Sequence, residues 1–358
     1  MVAFKTIADL TRSLQAAELA ADAAAIVATA RPTLLFVREQ ADDDGLPVGT
    51  SKMGGCPDLP DGFAWPMRPA YADAQKRAAR VRKTGDHLIA TMTEWMTDPA
   101  KGRPVLPIEL DEVRAKYEAK TAVLFAPFPL GFVAQLDLAD LARNEGFDAD
   151  LPRTGMLSIF EDLTGDAEVP RAFWHQQPAA TCKRTPFPTS LIAHYDIQHS
   201  WSPPLTSETW AQSTKAEVLT AYSAITVPHH WKNAYPGQGP KWTQIWNWFD
   251  KPAYEYSIHE LPDKANAANF GDRLGGWPDN IQGNPEDELP GETARTGRII
   301  RPGVTPWRHL FSYGGEFWQR TRHMKPEDSG DGNTFVMIRD ADLAARRFEK
   351  AGSVYQQT

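Results

Sequence analysis

Apolar residues recur at helical spacing across residues 4–30, where every third or fourth position is Ile, Leu or Ala. The many alanines raise the helix propensity of this segment, and Pro32 ends it. Residues 33–38 (TLLFVR) form an apolar run of the length of a buried strand, and an acidic turn at residues 42–45 follows it. We therefore predict one amphipathic helix and then one strand.

Three charged segments with a regular apolar side follow, and each predicts a helix. They cover residues 71–83, 88–96 and 108–120. We interpret residues 68–120 as a helical insertion. Strands are predicted beyond it at residues 122–125, 132–136 and 156–160, with a short helix over residues 137–143 that Asp137 caps.

The middle of the chain, residues 166–269, is rich in Pro and Trp and is predicted to be irregular, except for a helix over residues 209–225. Clustered tryptophans favour a compact subcore over an exposed adhesive face, because aromatic groups usually pack inside. The tryptophans concerned are Trp201, Trp210, Trp231, Trp242, Trp246 and Trp248.

Two groups of residues could suggest a cation site. The acidic cluster Glu161, Asp162, Asp166 and Glu168 lacks the residue order of a calcium loop, so a solvated hairpin turn is the preferred interpretation. The second group is His194, Asp196 and His199, with His229 and His230 further along. It has no fixed ligand spacing. We predict no metal site.

A loop signature occurs twice. Residues 51–60 read SKMGGCPDLP, and residues 273–282 read RLGGWPDNIQ. The strands that follow repeat as well, since residues 309–313 and 334–338 correspond to residues 132–136 and 156–160 at an offset of roughly 177, which an internal duplication would give. We predict two related halves, at about residues 1–165 and 270–358, joined by the irregular middle. A last helix, residues 341–348, is predicted with Asp340 as its cap.

Composition narrows the class of protein. The chain has 358 residues, of which 42% are apolar, and a net charge of -8 without a basic stripe, so nucleic acid is not an expected partner. The only cysteines, Cys56 and Cys182, lie far apart, which argues against a disulfide scaffold and favours a reducing cytoplasm. No apolar run is long enough to span a bilayer, so no membrane association is expected.

The two double-glycine loops supply the candidate binding residues. In one interpretation they pack across the end of a sheet and are structural; in the other, their amides and polar side chains hold a polar or anionic ligand. The spacing does not match a phosphate loop. The candidates are Ser51, Lys52, Gly54, Gly55, Trp65, Gln135, Arg273, Gly275, Gly276, Trp277 and Gln282.

No catalytic residue or cofactor is predicted. The chain lacks the Gly-x-Ser-x-Gly elbow of serine hydrolases, and Cys182 lies beside Lys183 and Arg184 without an identifiable base.

Several of these segments together resemble the YwqG-like family, also called domain of unknown function 1963. They are SKMGGCPDLP with the Trp65-Pro66 pair, FVAQLDL, GMLSIFED, LGGWPDNIQ and GDGNTFVMIRDADLAARRF, from about residue 51 to the C-terminus. The resemblance implies an α+β fold with a pseudo-duplicated, largely antiparallel sheet, flanked by helices. It implies no catalytic residues. Some family members are thought to accompany bacterial toxin systems as immunity-like proteins.

Two functions from different classes follow. The preferred one is an intracellular protein that binds another protein, for instance a toxin, through exposed aromatic side chains and acidic loops. The alternative is a small-ligand or enzyme site in a cleft between the two halves, where Lys52, Gln135, Arg273 and Gln282 would converge. The sequence does not predict the oligomeric state.

Overall fold

A computed structural model of the protein describes residues 3–162, 171–198, 216–228, 248, 271–289, 307–314 and 332–357. These residues form a mixed structure of helices and antiparallel strands. The strands are β1 (Arg31–Ala41), β2 (Lys52–Met53), β3 (Asp58–Leu59), β4 (Met67–Arg68), β5 (Phe128–Pro129), β6 (Gly131–Asp137), β7 (Met156–Glu161), β8 (Arg171–His175), β9 (Lys183–Arg184), β10 (Ala216–Thr226), β11 (Arg273–Gly275), β12 (Trp307–Gly314), β13 (Gly332–Arg339) and β14 (Gly352–Gln357).

Helices flank the strands, and several are only one turn long. They are α1 (Ile7–Ala16), α2 (Ala23–Val27), α3 (Ala74–Thr97), α4 (Pro107–Ala122), α5 (Leu138–Leu141), α6 (Thr189–Gln198), α7 (Pro285–Glu288) and α8 (Asp340–Ala344). No helix in the described ranges is both long enough and apolar enough to cross a membrane.

One large sheet contains ten of the strands, in the order β14-β13-β12-β11-β1-β10-β2-β6-β7-β8. Every neighbouring pair is antiparallel. The long pair β1–β10 lies at the centre, with eleven consecutive residue pairs from Arg31 opposite Thr226 to Ala41 opposite Ala216.

The sheet curls around its main hydrophobic core. Alternate residues of the central strands, such as Leu34 and Phe36, point into one cluster that also contains Phe311 of β12 and Ile159 of β7. Strands β12 and β7 are six positions apart in the sheet, which is about 29 Å in a flat sheet. Side chains from both reach the same core, so the inner face is concave.

The inner face also carries buried charges at one end of the strands. Arg38 follows Leu34 and Phe36 on β1, and its side chain is 3% exposed. Its guanidinium contacts Asp272 at 2.6 Å and Glu217 at 3.2 Å, and Gly314 N donates to the other oxygen of Asp272 at 2.9 Å. A buried cation is thus neutralised by two carboxylates.

A hydrogen bond across the curl joins the two sides of the sheet. The hydroxyl of Tyr313 on β12 donates to the carboxylate of Glu161 on β7, and both residues are at most 1% exposed. Nearby in the same core, Trp174 of edge strand β8 packs on Phe348 at 6.2 Å between ring centroids. These contacts hold the sheet in its curled form.

Helices α1 and α2 pack around the end of β10, against Ile225 and Val227. Phe4, Leu10 and Leu14 pack there with Trp248, whose ring stacks on Phe4 and whose Nε1 donates to Ser13 Oγ at 2.8 Å. The subcore interpretation is therefore confirmed for Trp248, while Trp201, Trp210, Trp231, Trp242 and Trp246 lie outside the described residues.

Helices α3 and α4 form a hairpin that leaves and rejoins the fold at one place. The chain enters it through β4 and returns through β5, and these two strands pair with each other. Arg68 of β4 donates to the carbonyl oxygens of Val123 and Ala126, and Tyr71 N donates to Leu124 O at 3.1 Å. Gly85 of α3 lies directly against the ring of Tyr117 of α4.

Several sequence-based helix predictions were wrong. The predicted first helix is divided into α1 and α2, because Glu18 adopts a left-handed conformation between them with φ of 59°. The helices predicted at residues 71–83 and 88–96 are one continuous helix, α3. Residues 216–225 of the predicted helix at 209–225 lie in strand β10 instead, because β1 and β2 supply hydrogen-bonding partners on both sides, and residues 209–215 lie outside the described residues.

Other local predictions also change. Residues 122–125 end α4 and form a 3-10 turn rather than a strand. Asp340 is the first residue of α8 and not its cap, and the helix ends at Ala344, before Arg346 with φ of 59°. Asp137 does cap α5, as predicted, by accepting from two backbone amides. Strand β8, helix α6 and strand β10 lie in the middle region that was expected to be mostly irregular.

The solvated-turn interpretation of the acidic cluster is wrong for Glu161 and Asp162. Both are 1% exposed. Glu161 accepts from Tyr313, and Asp162 contacts Arg68 Nε at 3.0 Å and accepts from Tyr71. Asp166 and Glu168 lie outside the described residues.

The contact between Tyr313 and Glu161 predicts a measurable loss of stability. Tyr313→Phe removes the donor to a buried carboxylate, which we expect to lower the free energy of unfolding by about 1.5 to 3 kcal/mol. Urea denaturation measures the difference. Tyr222→Phe is the matched control, because the Tyr222 hydroxyl on β10 bonds to no described residue. Equal midpoints for the two variants would contradict the role of this contact.

Candidate functional site

The first double-glycine loop turns sharply after β2. Gly54 and Gly55 both adopt left-handed backbone conformations, with φ of 66° and 64°. A Cβ at Gly55 would lie 2.5 Å from Oδ1 of Asp43, so the second position also requires glycine for space. Cys56 N donates to Oδ2 of the same carboxylate at 2.8 Å.

Lys52 is the buried centre of this loop. Its side chain is 0% exposed, and its ammonium group bonds to the carboxylate of Asp43 and donates to Cys56 O at 2.7 Å. Burial lowers the pKa of Lys52, while the Asp43 carboxylate acts in the opposite direction. Lys52 therefore joins Asp43, which precedes the loop, to Cys56, which follows its two glycines.

Asp58 and Gln135 form the second part of the same network. Gln135 accepts from Asp58 N at 2.7 Å and donates to Asp58 Oδ2 at 2.7 Å, and Arg184 Nε donates to Asp58 Oδ1 at 2.6 Å. Burial alone would raise the pKa of Asp58, but the bonds from Arg184, Gly49 N and Gln135 outweigh it and lower that pKa. Asp58 and Gln135 are both 0% exposed.

Ser51 and Trp65 have contacts of the same structural kind. Ser51 Oγ accepts from Asp137 N at 2.9 Å. Trp65 Nε1 donates to Leu130 O at 2.8 Å, and its half-buried ring packs against Phe160 and Phe187. Both residues therefore connect the loop to neighbouring parts of the fold.

The second double-glycine loop, after β11, has the same local design. Gly275 and Gly276 have φ of 71° and 72°. Arg273, at 1% exposed, donates to Trp277 O at 2.9 Å, and this carbonyl lies four residues later, as Cys56 O does relative to Lys52. Trp277 N and Nε1 donate to Thr226 and Thr29, and the guanidinium of Arg31 lies 3.8 Å from the centre of its ring.

The candidate residues do not line one open cleft. Lys52 and Gln135 face each other across β2 and β6, whereas Arg273 lies on β11, three positions from β2 in the sheet. Gln282 is exposed, and its backbone N donates to Gln356 Oε1 at 3.2 Å. Lys52, Gln135 and Arg273 are buried among protein partners, so these side chains are placed to hold the loops in shape.

The thiols and two histidines have weak nucleophilic or acid–base character at neutral pH. Burial, with the Asp43 carboxylate, raises the pKa of Cys56 to about 11, and burial also raises the pKa of Cys182. Burial lowers the pKa of His175 to about 4 and, together with the nearby Arg273, that of His309 to about 3. The thiols are protonated and the imidazoles neutral at pH 7.

No cluster of three or more His, Cys, Asp or Glu side chains able to hold a metal ion occurs within the described part of the chain. His194 is buried on α6, where its ring lies 5.2 Å from that of Phe128. His199, His229 and His230 lie outside the described residues.

Sequence reasoning missed two features of the chain. The first is the paired charges inside the sheet, at Arg38, Glu217 and Asp272; alternation along β1 places Arg38 on the inner face, but its partners are far away in sequence. The second is the solvent-facing surface of the α3–α4 hairpin. Leu106 and Ile108, at the start of α4, are 62% and 59% exposed.

A family model described as a domain of unknown function (DUF1963) matches residues 51–356. The chain belongs to this family. Its match begins at the first double-glycine loop and includes the second, whereas Asp43, which pairs with Lys52, precedes the matched residues. Among curated proteins, none matches the chain.

The structural interpretation of the loops predicts different costs for two adjacent glycines. Gly275→Ala adds a Cβ that makes only ordinary contacts, the nearest at 3.5 Å from Asp148 Cβ, and should cost about 1 to 2 kcal/mol of backbone strain. Gly276→Ala has the same strain, and its Cβ would lie 2.6 Å from Thr226 Oγ1 and 2.8 Å from Thr33 Cβ, which should cost about 1 to 3 kcal/mol more. Thermal unfolding of both variants measures this. Equal losses would contradict the packing of the second loop.

His309 predicts a pH dependence of stability. The unfolded chain protonates this histidine near pH 6.5, whereas the folded protein keeps it neutral down to about pH 3. The contribution of His309 to the free energy of unfolding is therefore fully present above pH 6.5. It is lost as the pH falls toward 3, by up to about 1.4 kcal/mol per pH unit. His309→Gln should reduce this slope between pH 6.5 and 5 in urea titrations. Parallel curves of unfolding free energy against pH for the parent and the variant would contradict this role of His309.

Proposed function

We propose that the chain is an intracellular binding protein whose partner is another protein. The observation that carries the proposal is the exposed apolar surface at the end of the α3–α4 hairpin. Met96, Leu106 and Ile108 are 38%, 62% and 59% exposed, and the connection between the helices brings them to the same end. Clustered exposed aliphatic side chains are typical of surfaces that another molecule covers.

The position of the hairpin supports a binding role. Its helices are anchored at one end by the β4–β5 pair and by Arg68, whereas the exposed residues lie at the other end. We infer that α3 and α4 are an insertion in the first half of the domain, because the chain leaves and returns through two paired strands. The loops and the sheet would then form the scaffold that positions it.

The sheet order supports an internal duplication, which we also propose. Reading outward from the central β1–β10 pair, β11 to β14 on one side correspond to β2, β6, β7 and β8 on the other. Register irregularities occur at Val133 and Leu310, which are 177 residues apart. In this arrangement β1 pairs with a strand of the second half and β10 with one of the first, so the halves interlock as one domain.

A toxin of a bacterial toxin system is the partner class that we propose, with this chain as its immunity-like protein. Such a partner requires a stable complex inside the cell. Two free cysteines, Cys56 and Cys182, are compatible with a reducing compartment.

Co-purification from the organism that encodes the chain tests the proposal. The tagged parent should recover a stoichiometric protein partner, and the double variant Leu106→Asp, Ile108→Asp should lose it. Both changes are at the N-cap and first turn of α4, where Asp is well tolerated, so the melting temperature should stay within a few degrees.

Ile7→Asp is the matched control, because Ile7 is 45% exposed at the first turn of α1, away from the hairpin, and should retain the partner. Recovery of no partner, or equal recovery with the double variant, would contradict the proposal. If the partner is a toxin, its expression alone should stop growth, and co-expression of the parent chain should restore it.

A further inference from the structure

A second surface of the hairpin is a groove between α3 and α4, nearer to its anchored end. Its volume is about 660 Å³. Both apolar and charged side chains line it. Its lining includes Arg82, Asp86, Arg114, Tyr117, Glu118 and Phe125.

The length of the groove suits a short peptide segment. The α3 residues that line it, Arg82 to Ile89, cover about 10 Å, and the stretch from Arg114 to Ala122 on α4 covers about 12 Å, which is two turns of helix. Phe125 is 41% exposed at one end. An apolar side chain of a ligand could therefore cover the Phe125 ring while the peptide follows the helices.

The charge beside the groove selects an acidic ligand. Residues 74–85 contain five Lys and Arg residues and no Asp or Glu, in a chain whose net charge is -8. Lys76, Arg80, Arg82 and Lys83 are exposed, and none of these four forms an ion pair with a described residue. Lys76, Arg80 and Lys83 follow one flank of α3 at helical spacing. Inside the groove, Asp86 and Glu118 balance Arg82 and Arg114, and Arg114 also pairs with the exposed Asp111 at 2.7 Å, so the excess of positive charge lies on the flank of α3.

We propose that this groove binds an acidic, apolar segment of the protein partner. Carboxylates of the segment pair with the basic half of α3 and with Arg114, and an aromatic or aliphatic side chain packs on Phe125 and Tyr117. Charge complementarity of this kind fixes the orientation of a segment and speeds its association. The inference rests on the proposed protein-binding function and specifies its partner chemistry.

Fluorescence anisotropy of the full chain with labelled peptides tests the proposal. The probe is a twelve-residue peptide of Glu and Asp with two central Phe residues, and its companion has Gln and Asn in place of the acidic residues. The acidic probe should bind at least about tenfold more tightly than its neutral companion, and this preference should shrink as salt is raised.

Charge reversal then locates the site. The double variant Arg82→Glu, Arg114→Glu should weaken binding of the acidic probe at least about tenfold, and Phe125→Ala should weaken it severalfold. Arg143→Glu is the control, because Arg143 lies just after α5 and its side chain is 79% exposed. This variant should change the affinity for the acidic probe by less than about twofold. Melting curves verify that each variant is folded.

Other results would overturn the inference. They are equal binding of the two peptides, no binding of the acidic probe, or no effect of the Arg82 and Arg114 reversals. A self-association that these reversals abolish in sedimentation would assign the groove to a second copy, and stronger binding of a single-stranded DNA twelve-mer would assign it to nucleic acid. A partner lost only with the Leu106 and Ile108 variant would leave the proposed function in place and reject the groove.

Discussion

The fold depends on the pairing of charges that its own curvature removes from water. A sheet of ten strands that curls around one core encloses the side chains of its inner face, and several of these are ionic. Arg38 is compatible with that position because Asp272 and Glu217 neutralise it, and Glu161 because Tyr313 donates to it. Removing one partner would leave a buried charge uncompensated, which is strongly destabilising.

The same principle explains the two double-glycine loops. Each places a buried cation, Lys52 or Arg273, two residues before the first glycine, and that cation donates to the carbonyl oxygen four residues later. The left-handed glycines allow the backbone to turn back around the cation. The residues that look most like a ligand site in the sequence are thus occupied by contacts within the protein. Among the large apolar side chains of the described residues, the most exposed are Leu106 and Ile108 at the start of α4.

Local patterns predicted the strands at residues 33–38, 132–136 and 156–160 correctly, because such apolar runs are buried wherever the sheet places them. They failed where distant contacts decide. Residues 216–226 have helical propensity but form β10 between β1 and β2, and Glu161 has a partner 152 positions away. The partner strands of β10 and the partner of Glu161 cannot be identified from the sequence that surrounds them.

The candidate binding surface was only partly predictable for a similar reason. The third charged helix was correctly placed, as the bounds of α4 show, but which residues of the hairpin face solvent depends on how α3 and α4 pack. Close approach at Gly85 and Tyr117 fixes that packing. Exposure of Leu106, Ile108 and Phe125 follows from it.

The central claim is that the curled sheet is a self-sufficient scaffold and that the hairpin is the part that binds. Replacing residues 72–123 with a short Gly-Ser linker tests it most directly, because Tyr71 N and Leu124 O are already hydrogen-bonded at 3.1 Å. The shortened chain should unfold cooperatively, at a melting temperature close to that of the parent, and should recover no partner on co-purification. A shortened chain that does not fold, or that still retains the partner, would contradict the account.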